Sequence, residues 1–180
     1  LLQIGPDNAD TFNGGMTLAL RLRSLARAFW DHSSRGIYRV KTEKAQAGSS
    51  AMPQKINPID FESAEGAFSN AYNLLRLAFE ANIDTRGLRD LSNSIVNRHT
   101  IEGWAYLFLG LQSLLKGLEN GGYSPESIRK ELEANPSCLT ELERYRRIKA
   151  GMPDPYRELK DTPTENFPDT LEKLGGEEVF

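Results

Sequence analysis

Between Phe61 and Phe79 the apolar residues Phe61, Ala64, Phe68, Ala71, Leu75, Ala78 and Phe79 recur at spacings of three, four and one. That rhythm holds them to one side of a 3.6-residue helix, and no alternating strand pattern competes with it. A stripe of this kind has to be covered, and two neighbours of similar length are available. From about Ala9 to Ser33, Phe12, Met16, Leu18, Leu20, Leu22, Leu25, Phe29 and Trp30 occupy more than one stripe. From about Ser94 to Glu119, Ile95, Ile101, Trp104, Ala105, Phe108, Leu111, Leu114, Leu115 and Leu118 cover a broad face. Helices of this length run roughly 30–40 Å, and a helix apolar around much of its girth is buried in a bundle or an oligomer. The sequence thus predicts an all-α fold, a long-helix bundle that extends across subunits, because three such faces cannot all be covered within one short chain.

Local signals mark the ends of these helices. Asp7, Asn8 or Asp10 can cap the first, and Arg35-Gly36 closes it with glycine where a left-handed cap is expected. The stretch from Ile37 to Lys44 reads as a short polar connection. Pro58 suits the first turn of the second helix, with Asn57 as a possible N-cap. Asn120-Gly121-Gly122 stops the third helix, and Ser124-Pro125 is a fresh start signal. Beyond it, short helical segments over about 125–134, 138–149, 154–160 and 168–174 are punctuated by Pro136, Pro153, Pro155, Pro163 and Pro168. Two domains are expected: residues 1–120 as bundle, and 121–180 as a small, incomplete helical C-terminal domain.

Composition narrows the function classes. A net charge of −3 over 180 residues gives no basic field for nucleic acid. No apolar run approaches the roughly 20 residues of a membrane span, so neither nucleic acid nor membrane is an expected partner. The single Cys138 excludes an internal disulfide and suits a reducing, cytoplasmic setting. The chain opens on Leu1, not Met, and ends on Gly-Glu-Glu-Val-Phe; we read it as a piece of a longer polypeptide.

Between the first two helices, residues 43–58 contain few large apolar side chains but concentrated chemistry: hydroxyls at Ser49 and Ser50, an ammonium at Lys55 and an amide at Asn57. A serine hydroxyl acts as a base only when deprotonated, which a nearby cation or a row of backbone N–H groups favours. Further along, Ser94 and Arg98 lie four apart at the start of a predicted helix, where a hydroxyl, a guanidinium and unpaired N–H groups suit a phosphate. Spacing alone leaves the simpler alternative that Ser94 caps the helix and Arg98 lies in solvent.

The string GSSAMPQKINP (Gly48–Pro58) resembles the GSSxMPxKxNP signature of the fumarase/aspartase superfamily. Ile59-Asp60-Phe61-Glu62-Ser63-Ala64-Glu65-Gly66 is similar to the segment that follows it in adenylosuccinate lyases. Arg86, Arg89-Asp90, Ser94 and Arg98 match that family's R-x-x-R-D-x-x-x-S-x-x-x-R pattern, and Gln3-Ile4 with Pro6 resembles its Q-I-x-P segment. The likeness runs from Gln3 to about Leu118. Met52-Pro53-Gln54-Lys55 also fits many argininosuccinate lyases, which stay open as an alternative, as does a non-catalytic helical oligomerisation module like the superfamily's structural lens proteins.

The resemblance implies a carbon–nitrogen lyase that eliminates fumarate from adenylosuccinate and from the succinyl-carboxamide ribotide of purine biosynthesis. It needs no cofactor and no metal, binds a small nucleotide substrate, and assembles as a homotetramer whose sites draw on three subunits. Carried over by motif, Ser49 is the base. Ser50, Lys55 and Asn57 bind substrate beside it, Gln3 and Arg89 hold other polar groups, and Ser94 and Arg98 bind phosphate. Ser63 stands where these lyases often carry Asn, which has more donors. The family's general acid is a histidine, but His32 and His99 lie outside segments resembling its histidine motifs. Both are read as structural, with the acid expected in an N-terminal part that this chain does not contain.

Overall fold

The computed structural model describes residues 6–41, 57–83 and 92–161. The predicted all-α architecture is what it shows: among the described residues, only two three-residue strands interrupt the helices. One compact unit ends at Tyr123 and a second begins at Ser124.

The first unit is built on three long helices, α1 (Pro6–Ser34), α2 (Ile59–Ile83) and α4 (Thr100–Glu119). Helix α2 is central, packed against α1 and against α4. Phe61, Ala64, Phe68, Ala71, Leu75 and Ala78 of α2 are almost completely buried. They alternate by three and four, so large residues recur every seven positions and small ones fall between. Helix α4 answers with glycines at the same period. Gly117 lies under Phe61, Gly110 under Phe68 and Gly103 under Leu75, with Leu107 and Leu114 buried between them. A Cβ at Gly110 would stand 2.6 Å from a ring carbon of Phe68, so the large side chains of α2 fit only because α4 has none there. On the other side Ala19 and Ala26 of α1 let that helix approach α2 closely.

Three features differ from the sequence expectation. Pro58 stands just outside α2, its carbonyl accepting the N–H groups of Phe61 (3.0 Å) and Glu62 (3.2 Å). The stretch read as a polar connection contains strand β1 (Tyr38–Val40). It pairs antiparallel with strand β2 (Gly121–Tyr123), matching Tyr38 to Tyr123 and Val40 to Gly121. Three residues are too few for a periodic signal, and the partner lies far along the chain. Tyr38 secures the pair: its buried hydroxyl donates to the carbonyls of Gly117 (3.1 Å) and Leu118 (3.0 Å) and its ring lies over Gly121, where a side chain would collide. Finally, the third helix is not continuous. It opens as the short α3 (Ser92–Val96), tightens into a 3₁₀ turn over Asn97–His99, and only then becomes α4. The carbonyl of Asn97 accepts both the N–H and the hydroxyl (2.7 Å) of Thr100, local bonding that competes with the regular helical pattern.

The second unit contains α5 (Pro125–Ala134), a 3₁₀ turn over Pro136–Leu139, α6 (Thr140–Lys149) and α7 (Pro155–Asp161). The start signal is realised as predicted: Ser124 Oγ accepts the N–H of Ser127 (3.3 Å) with Pro125 in the first turn. The buried carboxylate of Glu143 receives Arg146 Nε at 2.6 Å and Arg147 Nε at 2.8 Å, and Arg147 reaches on to Glu158 of α7 at 3.3 Å. The predicted segment over 168–174 lies outside the described residues. No described helix is long and apolar enough to cross a membrane.

Candidate functional site

Of the residues singled out from the sequence, Asn57, Ser63, Ser94 and Arg98 fall within the described residues, while Gln3, Ser49, Ser50, Lys55 and Arg89 lie outside them. Asn57 is half-buried immediately before α2, and its carbonyl accepts the N–H of Ile59 at 2.9 Å. Ser63 is exposed one turn into the helix. This end of α2 is held on both sides. Asp60, with a side chain only 12% exposed, pairs with Lys116 of α4 at 3.0 Å. Glu62 accepts the indole N–H of Trp30 at 3.0 Å, and Glu65 accepts Arg27 at 2.6 Å, both from α1. The residues that follow the signature string therefore start from a rigid platform.

Ser94 and Arg98 are both exposed, but they do not share the first turn of one long helix. Ser94 belongs to the five-residue α3 and Arg98 to the 3₁₀ turn, so the anion field expected from a long helix N-terminus is not part of their local setting. What remains is a hydroxyl and a guanidinium four residues apart, able to offer several donors to one phosphate.

Helix α2 separates these two groups of residues. Asn57 and Ser63 lie at its start, whereas the 3₁₀ turn meets its last turn, where Asn82 reaches Asn97. Twenty-five helical residues span roughly 37 Å. A single copy of this chain therefore does not bring Asn57 and Arg98 to one small ligand.

Each of the two histidines has a side-chain neighbour at Nδ1. His32 is half-buried in an aromatic cluster with Phe29 and Tyr123, its Nδ1 3.1 Å from the Tyr123 hydroxyl. It packs beside these two rings near the end of α1. His99 is exposed with Nδ1 3.3 Å from Glu102. In the same cluster Tyr38 has its phenol pKa raised, first by burial and then by the neighbouring Tyr123. In the second unit Cys138, Glu141, Arg144 and Tyr156 border a groove of about 500 Å³ that contains none of the predicted site residues.

The family model described as adenylosuccinate lyase C-terminal matches residues 85–173, which include Arg89, Ser94 and Arg98. The adenylosuccinate lyase of Dictyostelium discoideum is 35% identical over 141 residues, covering 78% of this chain and 30% of that protein. This chain belongs to the adenylosuccinate lyase family. The adenylosuccinate lyase of Escherichia coli (strain K12) is 35% identical over 137 residues, 75% of this chain and 30% of its own length. That of Vibrio cholerae is 31% identical over 161 residues, 88% of this chain and 35% of its own. The chain thus spans about a third of the length of these adenylosuccinate lyases, and the likeness extends beyond the bundle into the second unit. The segment that follows Gly48–Pro58 is anchored on α1 and α4 through Asp60, Glu62 and Glu65.

Proposed function

We propose that this chain contributes the base-bearing segment and the phosphate-binding residues to an adenylosuccinate lyase. The enzyme cleaves the carbon–nitrogen bond of adenylosuccinate to give fumarate and AMP, and acts likewise on the succinyl-carboxamide ribotide. The observation that carries this reading is the GSSAMPQKINP string joined, in the same chain, to the Arg89-Asp90, Ser94 and Arg98 pattern, across a stretch similar to the three adenylosuccinate lyases named above.

Ser49 removes the proton from the carbon beside a carboxylate, and the electrons move into that carboxylate as an aci-dianion. Lys55, Asn57 and neighbouring N–H groups stabilise the charge as it develops, which is where such donors are worth most. Collapse of the dianion forms the fumarate double bond and expels the nitrogen, which takes a proton from a general acid. Neither His32 nor His99 lies in a segment resembling the family's histidine motifs, so that acid is assigned to another part of the enzyme. Ser50, Ser63, Gln3 and Arg89 hold the remaining polar groups of the substrate, and Ser94 with Arg98 binds its phosphate. The length of α2 between the two groups supports sites assembled from more than one copy, in a homotetramer.

In the active enzyme containing this chain, fumarate release is followed by ultraviolet absorbance. Ser49→Ala lowers kcat by several orders of magnitude with binding largely kept, and a variant retaining more than about a tenth of kcat removes Ser49 from the role of base. Arg98→Ala weakens kcat/KM for adenylosuccinate by about 2–4 kcal/mol and hardly affects the analogue without phosphate. Turnover of argininosuccinate in its place would overturn the choice of substrate.

A further inference from the structure

Helix α2 buries seven positions in strict alternation of three and four, and the last of them breaks the apolar rule. Phe61, Ala64, Phe68, Ala71, Leu75 and Ala78 are followed by Asn82, 8% exposed. A buried amide is destabilising unless its donors are matched. Asn82 Nδ2 donates to its own helix, to Ala78 O at 2.7 Å, and across to Asn97 Oδ1 at 3.5 Å. Asn97 is the residue at which α3 gives way to the 3₁₀ turn, and its carbonyl is already taken by Thr100. Asn97 is therefore held through its main chain by α4 and through its side chain by α2.

That hold bears on the two residues beside it. A 3₁₀ turn is wound more tightly than an α-helix, so the turn over Asn97–His99 sets how Ser94, before it, is turned relative to α4, after it. Arg98 lies inside the turn itself. The direction in which this hydroxyl and guanidinium face is thus set at Asn97. A single amide at one heptad position is a known device for fixing register at a cost in stability.

We propose that Asn82 is a positioning residue for Ser94 and Arg98, holding the turn at Asn97 so that both donors meet one phosphate. This rests on the reading of Ser94 and Arg98 as the phosphate-binding pair. Asn82 touches no substrate in this scheme; it acts through Asn97.

The test uses the active enzyme containing this chain, with adenylosuccinate and its nucleoside lacking the phosphate as the two substrates. Asn82→Leu restores the apolar repeat, so its thermal midpoint equals or exceeds that of the parent. Its KM for adenylosuccinate rises about five- to tenfold at nearly constant kcat, the size of one lost hydrogen bond, while the nucleoside is unaffected. Asn97→Ala, at an exposed position, has the same signature and serves if Asn82→Leu does not fold. The double variant is no worse than either single one. Equal losses on both substrates, additive losses in the double variant, or an unchanged KM would each overturn the role of Asn82. Arg98→Ala is the control: if it does not discriminate between the substrates, the phosphate reading falls and this inference with it.

Discussion

Glu143 is the one buried carboxylate of the second unit's described residues, and two guanidiniums converge on it. The hydrogen bond from Arg146 is the largest influence, that from Arg147 adds to it, and burial opposes them; together they hold the Glu143 carboxyl at about 2. A depressed folded-state pKa gives stability that is complete above the ordinary value of 4.5 and is lost as pH falls toward 2. Denaturant unfolding should show the second unit losing on the order of 3 kcal/mol across that window beyond what Glu143→Gln loses. Parallel curves for the two proteins would mean that the carboxylate contributes nothing. At this scale the sequence was legible where the chemistry is local. Ser124-Pro125 declared its cap because the acceptor and the N–H it serves are three residues apart. Glu143 was not legible, since Glu-Arg-Tyr-Arg-Arg reads as a solvated charge run until α7 and Glu158 are in place. Ser94 and Arg98 were found through a family pattern, but their turn and its tie to Asn82 depend on a neighbouring helix.

Among the elements, the heptad match of α2 on α4 decides what each glycine does. Gly14, with nothing within 4 Å of an added Cβ, and Gly110, with the Phe68 ring at 2.6 Å, are both interior to long helices. Alanine gains about 1 kcal/mol of helix propensity at either place. At Gly110 it also overpacks a fully buried ring, which costs about 1–3 kcal/mol. Gly14→Ala should therefore raise the thermal midpoint and Gly110→Ala should lower it; a rise in both would mean that Phe68 has room to move. The three helices could be read because their apolar spacing persists over twenty residues or more. Strands β1 and β2 could not, because a Gly-Gly-Tyr segment has no intrinsic preference for a strand and is one only when Tyr38 arrives.

At the scale of the first unit, a second seven-residue repeat lies on the outside. Ile101 (77% exposed), Phe108 (61%) and Leu115 (55%) run along α4, and Leu18 and Leu25 along α1. Exposed apolar rows of this kind are what a bundle continued in other subunits would cover. Light scattering should find the isolated chain associated, and Phe108→Glu should shift it toward smaller species; an unchanged mass would exclude that row from the contact. Fumarate should not form from adenylosuccinate with this chain alone, since neither His32 nor His99 lies in a segment resembling the family's histidine motifs. Measurable turnover would return one of them to the role of acid.

The pairing of Tyr38 with Tyr123 also sets a schedule. During synthesis at about 5–20 residues per second, β1 is made roughly 4–16 s before its partner strand. Until then Tyr38 has neither the carbonyls of Gly117 and Leu118 nor the space over Gly121. The root of the segment carrying the signature is thus fastened last, when the end of α4 emerges and closes the unit behind it.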